Sequence, residues 1–117
     1  MKAYQMLKAF WQRLNAVYED RWLVRRVEVA DGDFLPTKMP KRNLVLVRDG
    51  KEEWSVGFAC PCGCQRTIEL LLIPDANPHW KITVDSKGRP TLTPSVWLQG
   101  GCRSHFWVRK GKVIWCD

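Results

Sequence analysis

The chain has 117 residues, 45% of them hydrophobic and 26% charged, with a formal net charge of +7. That length suits one domain better than two, and the apolar content excludes a globally disordered chain. No apolar run is long enough for a membrane helix, and Gln5, Lys8, Gln12 and Arg13 interrupt the N-terminal segment where a signal peptide needs a continuous apolar core.

A cytoplasmic location is therefore expected, where clustered cysteines favour a metal over disulfides. The odd cysteine count, five, points the same way. The basic balance attracts acidic partners in general, with local concentrations at Arg25-Arg26 and from Lys38 to Arg42. A solvated basic surface is the simpler account of it. Seven tryptophans supply a large apolar area for a small core.

In chain order, Ala3, Met6, Leu7, Phe10, Leu14, Val17 and Tyr18 recur at helical spacing and predict an amphipathic helix over residues 1–22. Such a helix covers a sheet face, or docks a partner if Phe10, Trp11 and Trp22 do not all fit inside. Val24, Val27 and Val29 suggest a short strand ending at Asp31-Gly32-Asp33. A basic loop between Pro36 and Pro40 follows. Leu44 to Val47 and Glu53 to Phe58 form a hairpin about Asp49-Gly50. The second of these strands runs into Cys60-Pro61-Cys62-Gly63-Cys64.

Beyond the cysteines, Thr67 to Ile73 reads as a buried strand, with Pro74 and Pro78 bounding a loop. Trp80 to Val84 and Thr91 to Thr93 flank the turn Ser86-Lys87-Gly88. His105 to Val108 and Lys112 to Trp115 flank Lys110-Gly111.

Thiolates are soft ligands, and zinc takes four of them, or thiolates with imidazole, in a tetrahedron. Cys60, Cys62 and Cys64 sit on a tight turn that Gly63 allows to bend. Cys102 and His105, spaced Cys-x-x-His, supply a second half-site. These five candidates exceed the four places of one ion, so one is spare or stands behind the others. Cys116 reads as a separate free thiol, and His79 as a loop histidine. The expected fold is thus α+β, mainly β. It is a small antiparallel sheet or partly open barrel stapled by zinc, with the N-terminal helix before a β-rich core at 23–117, all in one zinc-binding domain.

A closed site of this kind staples a small domain, whereas chemistry needs an open position or a nucleophile nearby. Candidate helpers are Ser104, Ser95, Glu69 and Asp85, of which Ser104, Glu69 and Asp85 form the candidate catalytic set. Ser104 and His105 are neighbours on an expected strand and so face opposite ways, a poor geometry for a serine–histidine pair.

The segments Cys60-Pro61-Cys62-Gly63-Cys64, Thr93-Pro94-Ser95-Val96 and Cys102-Arg103-Ser104-His105-Phe106-Trp107 resemble those of a small zinc-binding family of bacteria and phages. Gly111 and Trp115 continue the likeness, which covers roughly residues 44 to 116. Its members are often encoded beside bacterial ubiquitin-like proteins and their activating and conjugating enzymes. The resemblance implies a role in such a pathway, as a zinc-dependent peptidase that trims or removes the ubiquitin-like tag. The expected partners are that protein or its conjugation enzymes. Many relatives carry glycine and an acidic residue where this chain has Gln65-Arg66. The alternative is a non-catalytic zinc module that binds a protein or, with less support, nucleic acid.

Overall fold

The computed structural model describes Ala3, residues 5–11 and residues 24–116. Ala3 and residues 5–11 are helical, as the apolar spacing predicts. The expected continuation through Trp22 lies outside the described residues. Met6, Leu7, Phe10 and Trp11 are exposed. No helix among the described residues is long and apolar enough to cross a membrane.

The rest is β structure in three small sheets that do not close into a barrel. The first has the order β1-β2-β3-β4, from Val27–Asp31, Leu44–Asp49, Glu52–Ala59 and Thr67–Leu71. The second pairs β5, Lys81–Val84, with β6, Pro90–Thr93. The third has the order β7-β8-β9, from Val96–Trp97, His105–Arg109 and Lys112–Trp115. All pairings are antiparallel except one. β1 runs parallel to β2, with Val27 opposite Leu44, because the proline-containing loop at 32–43 carries the chain back before β2 begins. An alternating valine pattern shows a strand but not its direction.

One apolar core joins the sheets. It takes Leu44 and Leu46 from β2, Val56 and Phe58 from β3, and Ile68 and Leu70 from β4. Leu92, Val96, Phe106, Val108 and Val113 come from the other two sheets. Period-two alternation is clean in β4 and β8, where every second side chain is buried. Val45 and Val47 face the other side of the first sheet and are buried too. On that side Leu35, from the crossing loop, lies against Gly57, the residue paired with Val45. Phe58 meets Phe106 edge to face at 6.1 Å, which couples the strand entering the cysteines to the strand leaving them.

Gly111 fastens the last hairpin to the remainder. Its N–H donates to the Pro90 carbonyl at 2.8 Å, and its carbonyl accepts from Arg25 N–H at 2.9 Å. Its φ is 77°, and a Cβ there would collide with the Arg25 carbonyl and the Val24 side chain. Gly111→Ala therefore combines left-handed strain with overlap against backbone. We expect it to destabilise the fold by about 1–3 kcal/mol. Urea unfolding measures this, and an unchanged midpoint would contradict the docking of residues 24–25 on this turn.

Candidate functional site

Two hairpin ends face each other. The first leaves β3 at Ala59 and turns through Cys60 to Arg66 before β4. Cys60 N–H donates to the Arg66 carbonyl at 2.8 Å and Gly63 N–H to the Cys60 carbonyl at 3.1 Å, which curls the segment tightly. Gly63 (φ 86°) and Gln65 (φ 68°) both adopt left-handed backbone. Glycine takes that conformation freely, whereas glutamine does so at a cost. The second end joins β7 to β8, with Leu98 N–H donating to Ser104 carbonyl at 2.9 Å and Arg103 N–H to Gly100 carbonyl at 3.3 Å. Arg66 bridges the two turns through Nη1, which donates to the Gly100 carbonyl at 3.2 Å.

Across this junction the sulfurs of Cys60, Cys62, Cys64 and Cys102 all lie within 4.8 Å of one another. Cys60 Sγ is 3.4 Å from Cys62 Sγ and 3.7 Å from Cys102 Sγ. A tetrahedral ion with metal–sulfur bonds of about 2.3 Å needs sulfur–sulfur edges of about 3.8 Å, so these distances suit a single ion held by four thiolates. None of the cysteines is in a disulfide. The four can hold a metal ion. Cys116 is not part of this cluster; it follows β9 as a free, half-buried thiol, and its N–H donates to the His105 carbonyl at 2.9 Å.

Ser104 belongs to this cluster. Its hydroxyl is 3.1 Å from Cys102 Sγ and 3.8 Å from Cys60 Sγ, and the residue is buried. The hydrogen bond from Ser104 is the chief cause that brings the Cys102 thiol down to about 6. Burial pushes the Cys60 thiol up to about 12. Without metal, one sulfur is thus readily ionised while another stays protonated.

His105 opens β8 and is not among the clustered ligands. Its Nε2 lies 3.1 Å from Ser95 Oγ, and its ring stacks on Trp97 with centroids 4.9 Å apart and planes 13° apart. The strand register explains this. Trp97 pairs with His105, so Ser95, two residues before Trp97, is the diagonal neighbour on the same face. Ser104 alternates to the opposite face, toward the sulfurs. Ser95 is itself anchored, since its carbonyl accepts Trp80 Nε1–H at 3.3 Å. Its hydroxyl and the imidazole are both half-buried. A hydroxyl at this distance from an imidazole nitrogen can pass its proton to that nitrogen and attack a carbonyl.

Glu69 and Asp85 take no part in this pair. Glu69 is exposed on β4, opposite Gly57. Asp85 holds its own turn. It accepts from Lys87 N–H and Arg89 N–H and binds Arg89 Nε at 2.7 Å, bonds that keep its carboxyl below the ordinary range, the Arg89 N–H foremost. His79 caps a local turn through Nδ1 and the Ala76 carbonyl at 3.0 Å. No hydrogen bond joins Ser104, Glu69 and Asp85 among the described residues. Sequence reasoning weighed Ser95 but did not pair it with His105. The available signal was Thr93-Pro94-Ser95-Val96, read as a strand that returns antiparallel to His105.

The small β structure thus carries a set of four thiols that could hold a metal ion and, on the opposite face of β8, a serine–histidine pair. The chain belongs to the BubE family, described as a bacterial ubiquitination-like system serine protease, whose sequence model matches residues 32–116. No curated protein and no solved structure matches it.

The geometry separates ligands from bystanders. His105→Ala and Cys116→Ala should each retain one bound metal per chain, whereas Cys60→Ala should lose it, as read by elemental analysis after gel filtration. Loss of metal in His105→Ala would instead make the imidazole a ligand. Uptake must release the Cys60 and Cys64 protons, whose thiols are both shifted upward, and below about pH 6 the Cys102 proton also. Affinity measured against a competing chelator should therefore rise steadily with pH.

Proposed function

We propose that the protein is a serine peptidase that cleaves a bacterial ubiquitin-like protein or its conjugates, with Ser95 as nucleophile and His105 as general base. The observation that carries this reading is the 3.1 Å separation of Ser95 Oγ and His105 Nε2 on a shared strand face. The family description names a serine protease of a ubiquitination-like system, which supplies the substrate class.

In the reaction, Ser95 Oγ attacks the scissile carbonyl as its proton moves to His105 Nε2. This needs the tautomer with the ring proton on Nδ1. The carbon–nitrogen bond then breaks, and His105 returns the proton to the leaving amine. A water attacks the resulting ester with the same base, releasing the acid and restoring Ser95. The Trp80 indole holds the nucleophile's backbone while this happens.

The metal in this reading is zinc, held by Cys60, Cys62, Cys64 and Cys102. Bound there, it supplies a cross-link between the two hairpin ends. Four soft thiolates at tetrahedral spacing match zinc, and a filled four-thiolate shell is the pattern of structural sites. The sequence-based expectation of a zinc-dependent peptidase placed the chemistry at the metal. Here the metal keeps Ser104 and the start of β8 in place, and the serine does the chemistry.

A fluorophosphonate probe should label wild-type protein at Ser95, located by mass spectrometry of the peptide. Ser95→Ala and His105→Ala should each slow cleavage of a ubiquitin-like precursor by at least about a thousandfold. Cleavage that survives Ser95→Ala would overturn the assignment. So would cleavage abolished only by loss of Ser104.

A further inference from the structure

His105 has two contacts among the described residues that bear on its ring, the Ser95 hydroxyl and the Trp97 indole. No carboxylate among them hydrogen-bonds its second nitrogen. In a serine–histidine–aspartate arrangement that bond keeps the imidazole turned toward the serine. The stacked indole is a group that can set the ring plane. We propose that Trp97 is a positioning residue for His105, holding the plane of the imidazole by stacking. This rests on the reading of Ser95 and His105 as nucleophile and base.

The register makes the contact a built feature. Leu98 N–H donates to the Ser104 carbonyl, which marks Leu98 and Ser104 as a hydrogen-bonded pair. The next pair along the ladder, Trp97 and His105, is therefore a non-hydrogen-bonded one, in which Cα atoms come closest. Side chains at such a pair meet directly, and the rings lie 4.9 Å apart and within 13° of parallel. A flat indole beneath the imidazole bars rotation about the Cβ–Cγ bond, because turning the ring on edge would drive it into the indole. With the plane fixed, Nε2 remains directed at Ser95. Trp97 is 61% exposed, so the core does not require its bulk. Its neighbours Val96 and Leu98 are the buried residues of this segment.

The contact predicts a split in the kinetic parameters. Trp97→Ala should lower kcat on a ubiquitin-like precursor by about ten- to a hundredfold, the range expected when a reacting group loses its orientation. KM should stay within about twofold, as expected when the loss falls on the chemical step alone. Trp97→Phe, which keeps a flat ring, should recover most of the rate. Fluorophosphonate labelling of Ser95 should slow in parallel, with no substrate contacts involved. In proton spectra of the whole protein, the His105 ring signals should move downfield in Trp97→Ala as the indole ring current is lost.

Unchanged labelling and kcat in Trp97→Ala, with Ser95 labelled in the wild type, would overturn the role of Trp97 and leave Ser95 standing. A change in KM alone would also overturn it, making Trp97 a substrate contact. Absence of Ser95 labelling in the wild type would remove the nucleophile itself, whatever Trp97 does to the spectrum.

Discussion

The pairing of β7 with β8 is the constraint on which both halves of the site depend. β7 is two residues long, yet its register against β8 decides which way Ser104 and His105 face. Successive side chains on a strand point to opposite faces. With Trp97 opposite His105, Ser104 turns inward to the sulfurs and His105 turns outward to Ser95. A slip of one residue would exchange them, presenting the imidazole to the cysteines and the serine to Trp97. The core resists that slip, because Phe106 and Val108 of β8 are buried and would be turned to solvent.

The thiol cluster reinforces the same register from the end of the hairpin. Cys102 lies in the turn between β7 and β8, and the other three sulfurs come from the turn after β3. Joining them fixes the length and position of the second turn, while Arg66 ties Gly100 across the junction. The thiol cluster and the serine–histidine pair are thus linked through the four residues from Cys102 to His105. A small chain with a thin core gains proportionately from such a cross-link.

Much of this was legible in the sequence. The Asp49-Gly50 and Lys110-Gly111 turns, the strands they join and the two cysteine segments each have a local cause in neighbouring residues, whereas Thr67 to Ile73, which reads as a buried strand, is buried only at alternate positions of β4. The parallel β1 and the short β7 have no such local cause. Direction and register are set by which distant strand a segment meets, and Val96-Trp97 is too short to show a period. For the same reason Cys102-x-x-His105 presented itself as a ligand pair. Spacing along the chain matched a metal motif, whereas the strand that begins at His105 turns that side chain away from the sulfurs. Ser95 was visible as a residue but not as a partner, since ten positions and a complete hairpin separate it from His105.

The departure at Gln65-Arg66 takes on a definite meaning in this arrangement. An acidic residue after the third cysteine would matter to catalysis if the metal carried the reaction. Arg66 instead reaches across to the Gly100 carbonyl, on the thiol side of β8, away from the face that holds Ser95 and His105. Four thiolates around a divalent cation leave the site net anionic, so a guanidinium beside it is favourable where a carboxylate would be repelled. Arg103, next to Cys102 in the sequence, adds a second cation to the same turn. An arginine at position 66 supports the hairpin through Gly100, apart from the contact of Ser95 with His105 and the stacked Trp97 indole.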